Sequence, residues 1–194
     1  MSTDSHLSKW NRRHAEAETQ GSVAQVLLRN LHLLPASGKA LDLACERGAN
    51  ALLLAKSGLE THAWDFSDIA IERLAATAQE EGVDVMAQTR DVVAEPPEAD
   101  SFDVILVSFF LERTLVPHLI RALRPGGRIF YQTFVKDVYL DRGPGSTAWR
   151  LDHNELLHLF QELQIHYYRE DGTVCSEPDE VSDLAMLVAS RGEE

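Results

Sequence analysis

Short apolar runs alternate with amphipathic stretches along most of this chain, and that alternation leaves few architectures open. Residues 40–43, 60–64, 84–88 and 102–107 are short and apolar or β-branched, as strands are. The run Phe102-Asp103-Val104-Ile105-Leu106-Val107 is apolar enough to lie mid-sheet. Between the strands, residues 49–56 read as a helix closed by Gly58. Ser67 caps another, whose apolar side is Ala70, Ile71, Leu74, Ala75 and Ala78, ending near Gly82. A stripe of Val23, Val26, Leu27, Leu31 and Leu34 predicts a helix stopped by Pro35. Residues 115–123 predict one more, with Pro117 in its first turn. Pro125-Gly126-Gly127 then turns the chain into a strand over 128–134. Strands separated by single helices require right-handed crossovers and a mostly parallel sheet.

The last third changes character. Residues 135–152 contain Gly143-Pro144-Gly145-Ser146 and no clean periodicity, so they read as a loop over the sheet's edge, and 153–163 as a helix. Residues 164–169 and 182–189 read as strands joined by the acidic turn Ser176-Glu177-Pro178-Asp179-Glu180, and must pair antiparallel. The expected fold is α/β, a doubly wound seven-stranded sheet, mostly parallel with an antiparallel C-terminal hairpin. Residues 1–194 form a single domain, with 1–20 as an N-terminal arm or lid and 135–152 as a loop over the pocket.

The chemistry concentrates at two strand ends. Asp42 runs into the tight turn Ala44-Cys45-Glu46-Arg47-Gly48 and then an apolar helix, and Asp65 ends the next strand. Such a turn lets backbone approach a nucleotide-type cofactor, and a carboxylate one βαβ unit later accepts from its two ribose hydroxyls. A formal charge of −13 argues against phosphate backbones and anionic membranes as partners. Two cysteines, Cys45 and Cys175, make no disulfide framework and suit a reducing compartment. The first residues have no apolar signal core, and 102–111 is too short to cross a bilayer, so a cytoplasmic location is expected. His153 and His158 are wrongly spaced for one helical face, and no metal site is expected. A nicotinamide-dependent oxidoreductase would need Gly-x-Gly-x-x-Gly after the first strand, which is absent.

Taken together, Leu41-Asp42-Leu43-Ala44-Cys45, Trp64-Asp65-Phe66-Ser67, Arg90-Asp91-Val92, Phe102-Asp103-Val104-Ile105 and Leu123-Arg124-Pro125-Gly126-Gly127 resemble a class I S-adenosylmethionine-dependent methyltransferase, motif by motif and in order over residues 38–134. That family has a Rossmann-like seven-stranded sheet ending in such a hairpin. Lys9-Trp10-Asn11-Arg12-Arg13-His14, Tyr131-Gln132-Thr133-Phe134 and Asn154-Glu155-Leu156-Leu157 are similar to the tellurite-resistance and thiopurine methyltransferase-like group.

The resemblance implies that S-adenosyl-L-methionine is the cofactor. Asp42 and the turn of Ala44, Cys45, Glu46 and Gly48 would hold its methionine end, and Asp65 its ribose, with Phe66 against the adenine. Asp91 would accept from the adenine amino group beside Val92, and Ser108 and Phe109 would face the sulfonium. Trp10, Arg12, Arg113, Tyr131, Trp149 and Arg150 are substrate candidates, with Arg142 nearby in the loop; no catalytic base is assigned. The implied reaction is methyl transfer to a small soluble acceptor such as a thiol or chalcogen compound, without nucleic-acid or membrane partners; neither the acceptor nor the oligomeric state is legible. The departure is Glu46, where the family keeps Gly, as it usually does at Ala44. It motivates the alternative of a non-catalytic binding protein with a degenerate cofactor loop.

Overall fold

A computed structural model of the chain describes residues 8, 11, 12, 14, 15, 21–137, 139–140, 142–174 and 176–193. Trp10, most of the N-terminal arm and Cys175 lie outside these residues. The strands are β1 (Lys39–Leu43), β2 (Glu60–Asp65), β3 (Val85–Thr89), β4 (Phe102–Ser108), β5 (Leu123–Phe134), β6 (Gln164–Glu170) and β7 (Leu184–Ser190). They form one sheet in the order β3-β2-β1-β4-β5-β7-β6. The first five strands pair in parallel, and β7 is antiparallel to both neighbours. The C-terminal hairpin is present, with its second strand inserted beside β5 and its first left at the edge.

The helices are α1 (Gln25–Arg29), α2 (Ala49–Lys56), α3 (Asp68–Glu81), α4 (Val116–Ala122) and α5 (Glu155–Leu159). One sheet face, bearing Ala40, Val104, Leu106, Phe130 and Val188, packs against Val26, Leu27 and Leu54 of α1 and α2. Farther along it, Ala63 meets Ala51 and Leu52 of α2 and Leu74 and Ala78 of α3. The opposite face, with Leu41, Ile105, Ile129 and Leu187, packs against Leu119 of α4 and Leu156 of α5.

Between β3 and β4 the chain recrosses that second face with no helix. Trp64 covers the gap, lying edge-on to Phe102 at 5.7 Å with the Arg90 guanidinium 4.1 Å above its ring. Arg90 is held there by the carbonyls of Glu95 and Pro96.

Several boundaries differ from the sequence pattern. The helix predicted from the Val23–Leu34 stripe stops at Arg29, because Asn30 turns its amide back onto the Val26 carbonyl and leaves helical angles at φ −128°. A single 3-10 turn, Leu31–Leu33, continues the stripe. Predicted helix 153–163 shortens to α5 because Asn154 enters it at φ +58°. Ser182 pairs with Asp179 in a turn, which delays β7 to Leu184. Leu123 already pairs with Phe102 before the Pro-Gly-Gly kink, so β5 begins earlier than predicted and carries a bulge. At Gly127 that kink brings backbone so close that a Cβ would lie 2.8 Å from the Arg124 carbonyl.

Candidate active site

The carboxyl ends of β1, β2, β4 and β5 converge where ligands bind in open parallel sheets. Asp42 is fully buried at the end of β1, where its Oδ2 accepts from the Ala51 N–H at 3.0 Å, and its Oδ1 is buried without a hydrogen-bond partner among the described residues. Burial raises the carboxyl from 3.8 to about 8; the Ala51 N–H opposes this, and nearby Asp65 adds to it.

The turn after Asp42 has a specific backbone. Ala44, Glu46 and Gly48 all occupy the left-handed region, at φ +56°, +50° and +78°. These are alternate positions where glycine is at ease, yet only the last is glycine. Gly48 is required twice over, since a Cβ there would come within 2.3 Å of Leu74. Loop geometry of the glycine type is thus kept in spite of Glu46, whose side chain is only partly buried.

Asp65 is 8% exposed. One carboxylate oxygen accepts from the Glu46 N–H at 2.9 Å and the other from the Ser67 N–H at 2.8 Å. Burial raises it to about 6, against the pull of those two N–H groups, so it is mostly ionised at neutral pH. Cys45 is buried 4% exposed, and burial pushes its thiol up, with Asp42 and Asp65 adding to the effect. That removes it from thiolate chemistry.

Phe66 follows Asp65 half-buried, and Ser67 caps α3 while donating to Asn11 at 2.5 Å. The arm therefore reaches the rim of the turn, where Arg73 also holds the Ala15 carbonyl. Asp91 Oδ1 caps a turn through the N–H groups of Val93 and Ala94, and Val92 is buried beside Trp64. Ser108 ends β4 and Phe109 follows it, at φ +57° with its ring 5.1 Å from Phe134.

The substrate candidates divide. Arg113 grips both oxygens of Glu155, at 2.6 and 3.0 Å, and also the carbonyls of Ala148 and Arg150. That pairing holds the Glu155 carboxyl below its ordinary value. Arg150 donates to the carbonyls of Val135, Arg142 and Pro144. Tyr131 is 1% exposed and donates to Phe110, and burial pushes its phenol up. All three are engaged in holding the 135–152 loop and the end of β4. Trp149 and Arg12 are exposed, and Trp10 lies outside the described residues.

Two residues given no role by sequence reasoning join these parts. Asn50, in the first turn of α2, accepts from the Ala24 N–H at 2.7 Å and donates to Ser108 Oγ at 3.3 Å. Gln132, opposite Ser108 on β5, accepts from the Val26 N–H at 2.8 Å. Each is a lone amide in an apolar run, which was their available signal.

A groove of about 480 Å³ lies at the other end of the sheet, lined by Gly58, Glu60, Gly82, Asp84 and Met86. It is open, and among the described residues no partnerless buried polar group faces it, so it does not compete with the strand-end site.

A model of the methyltransferase domain family matches residues 13–181. The demethylmenaquinone methyltransferase of Clavibacter sepedonicus is 37% identical over 105 residues, which cover 49% of this chain and 41% of that protein. The match thus spans about two fifths of that relative's length. Among solved structures, TehB from Haemophilus influenzae has a TM-score of 0.71 at 18% identity, covering 94% of this chain and 67% of that one. A SAM-dependent methyltransferase from Methanosarcina mazei has a TM-score of 0.69 at 17% identity, covering 90% of this chain and 100% of that one. At these identities the structural likeness is one of fold.

Proposed function

The chain belongs to the methyltransferase domain family, and on that premise we propose that it transfers the methyl group of S-adenosylmethionine to a small acceptor. The carrying observation is the buried, partnerless Oδ1 of Asp42 beside a turn that keeps left-handed backbone at Ala44, Glu46 and Gly48. Those features fit the methionine end of the cofactor. Asp42 would accept from its ammonium, the turn would lie against it, and Asp65 would take the ribose hydroxyls with its remaining lone pairs. Phe66, Asp91 and Val92 would border the adenine, and Ser108 and Phe109 the reacting end.

When bound, S-adenosylmethionine supplies a methyl group already activated on a sulfonium. The protein's part is then alignment and exclusion of water. Beyond burial, Asp65 and Glu46 raise the proton affinity of Asp42, and Glu46 raises that of Asp65, which marks a local surplus of negative charge suited to a cationic ligand. Asn50 locks the end of β4 to the segment before α1, and Asn11 reaches Ser67 at the rim, so the arm is suited to close the pocket. A soft acceptor such as a thiol or chalcogen compound, as in the tellurite-resistance and thiopurine group, needs no dedicated base, and the reading assigns none. A cytoplasmic setting accords with it.

Titration calorimetry with S-adenosylhomocysteine tests the proposal, with micromolar binding expected. Absence of both heat and thermal shift at millimolar ligand would end it. A second reading, a non-catalytic relative, is favoured by one observation: both Asp65 oxygens already accept from the protein's own backbone. It predicts that cofactor affinity appears only after Glu46→Gly.

A further inference from the structure

A cavity of about 120 Å³ lies between the segment leading into α1, the carboxyl end of β5 and the start of β7. We propose that it receives the methyl acceptor, and that the acceptor seats there an uncharged end of about six non-hydrogen atoms or fewer, whose oxygen takes a hydrogen bond from the Gln132 amide. The inference rests on the methyl-transfer reading above.

Gln132 carries it. The side chain lines the cavity and the residue is 1% exposed. Because Oε1 accepts from the Val26 N–H, the amide cannot be flipped without leaving that donor unpaired, so Nε2 is the end free for the cavity. Nε2 donates to no acceptor among the described residues. An oxygen of a ligand seated in the cavity would give that donor its acceptor.

Size and charge narrow the class. A dry cavity of roughly 150 Å³ holds benzene, so this smaller one, open on one side, seats at most a single ring of an acceptor. Val23, Phe109 and Leu184 supply apolar wall. Arg142 also lines it, but its guanidinium is paired at 3.0 Å with the fully buried carboxylate of Asp183, and Glu180 adds a second carboxylate. An anion would meet a surplus of negative charge; a carbonyl or hydroxyl oxygen would not.

Position agrees with role. Ser108 pairs with Gln132, and the Ala44 turn leaves the strand on the far side of β4. At strand spacing, the cavity is about 10 Å from the turn, beside the cofactor cradle and outside it. For a thiol acceptor, sulfur forms a bond to the methyl carbon, the carbon–sulfonium bond breaks with its pair staying on the departing sulfur, and the thiol proton passes to solvent.

The test uses the full chain saturated with S-adenosylhomocysteine and two probes of equal size, 2-mercaptoacetamide and mercaptoacetate. Calorimetry measures their binding, and mass spectrometry measures S-methyl product when S-adenosylmethionine replaces the product. Gln132→Glu keeps an oxygen for the Val26 N–H and deletes the donor. It is expected to weaken 2-mercaptoacetamide about tenfold with S-adenosylhomocysteine affinity unchanged, and mercaptoacetate to bind the wild type about tenfold less well than the amide. Leu184→Phe, which narrows the cavity, is expected to abolish amide binding while sparing S-adenosylhomocysteine, and decides the matter if Gln132→Glu fails to fold. Equal amide binding by wild type and both variants, or no probe binding by a wild type that binds S-adenosylhomocysteine, would overturn this site and leave methyl transfer standing. Failure to bind S-adenosylhomocysteine would remove both.

Discussion

Ala44 and Glu46 hold φ angles of +56° and +50°, where a Cβ crowds the following peptide, and the Glu46 N–H is held there by Asp65. Glycine at 46 relieves that strain but adds conformational entropy to the unfolded chain, for a net gain of about 0.5–1 kcal/mol. Glu46→Gly should therefore raise the melting temperature by about 2 °C, with affinity for S-adenosylhomocysteine retained. A lower melting temperature would mean that the Glu46 carboxylate makes a stabilising contact worth more than the strain. Asp42 gives a pH-dependent signature. Its carboxyl rises from 3.8 to about 8 on folding, so between those values the folded protein holds a proton that the unfolded chain has lost. Its contribution is fully present below pH 3.8 and fades as pH climbs toward 8. Asp42→Asn should flatten that decline in unfolding temperature between pH 5 and pH 9 and abolish cofactor binding. Identical slopes for both proteins would contradict the assignment.

At the scale of elements, the loop after β5 is fastened by charges spent on backbone. Asp183 accepts from the N–H groups of Tyr139 and Leu140 and from Arg142, and Arg150 closes the other end on three carbonyls. Removing the Asp183 carboxylate strands these donors, so Asp183→Ala should destabilise the protein by about 2–4 kcal/mol. Limited proteolysis should cut first within residues 139–150. Uniform resistance there would show that packing, and not Asp183, holds the loop. The loop was legible from its glycines and prolines, whereas the arginines that the sequence offered as substrate contacts are engaged elsewhere, Arg142 of the loop by Asp183 and Arg113 before it by Glu155. No local pattern announces such pairings.

Across the whole molecule, protection should follow burial from both faces. β7 is buried throughout and β1 and β4 nearly so, while β3 and β6 at the two edges are largely exposed or half-exposed. Hydrogen–deuterium exchange should find β1, β4 and β7 opening only with global unfolding, and β3 and β6 exchanging sooner. Fast exchange in β7 would show that the C-terminal hairpin forms a separate, weaker unit.

The alternation of periods, the caps at Ser67 and Gly82 and the carboxylates at two strand ends were readable in the chain because each is a local relation between residues within one turn or one strand. These determined an α/β sheet, mostly parallel, with an acidic turn at its carboxyl edge. The insertion of β7 between β5 and β6 was decided only in three dimensions. So was the pairing of Val26 with Gln132 across 106 residues. Strand order sets which distant side chains share a face, and a donor such as the Gln132 amide acquires a direction only when a remote helix takes up its oxygen.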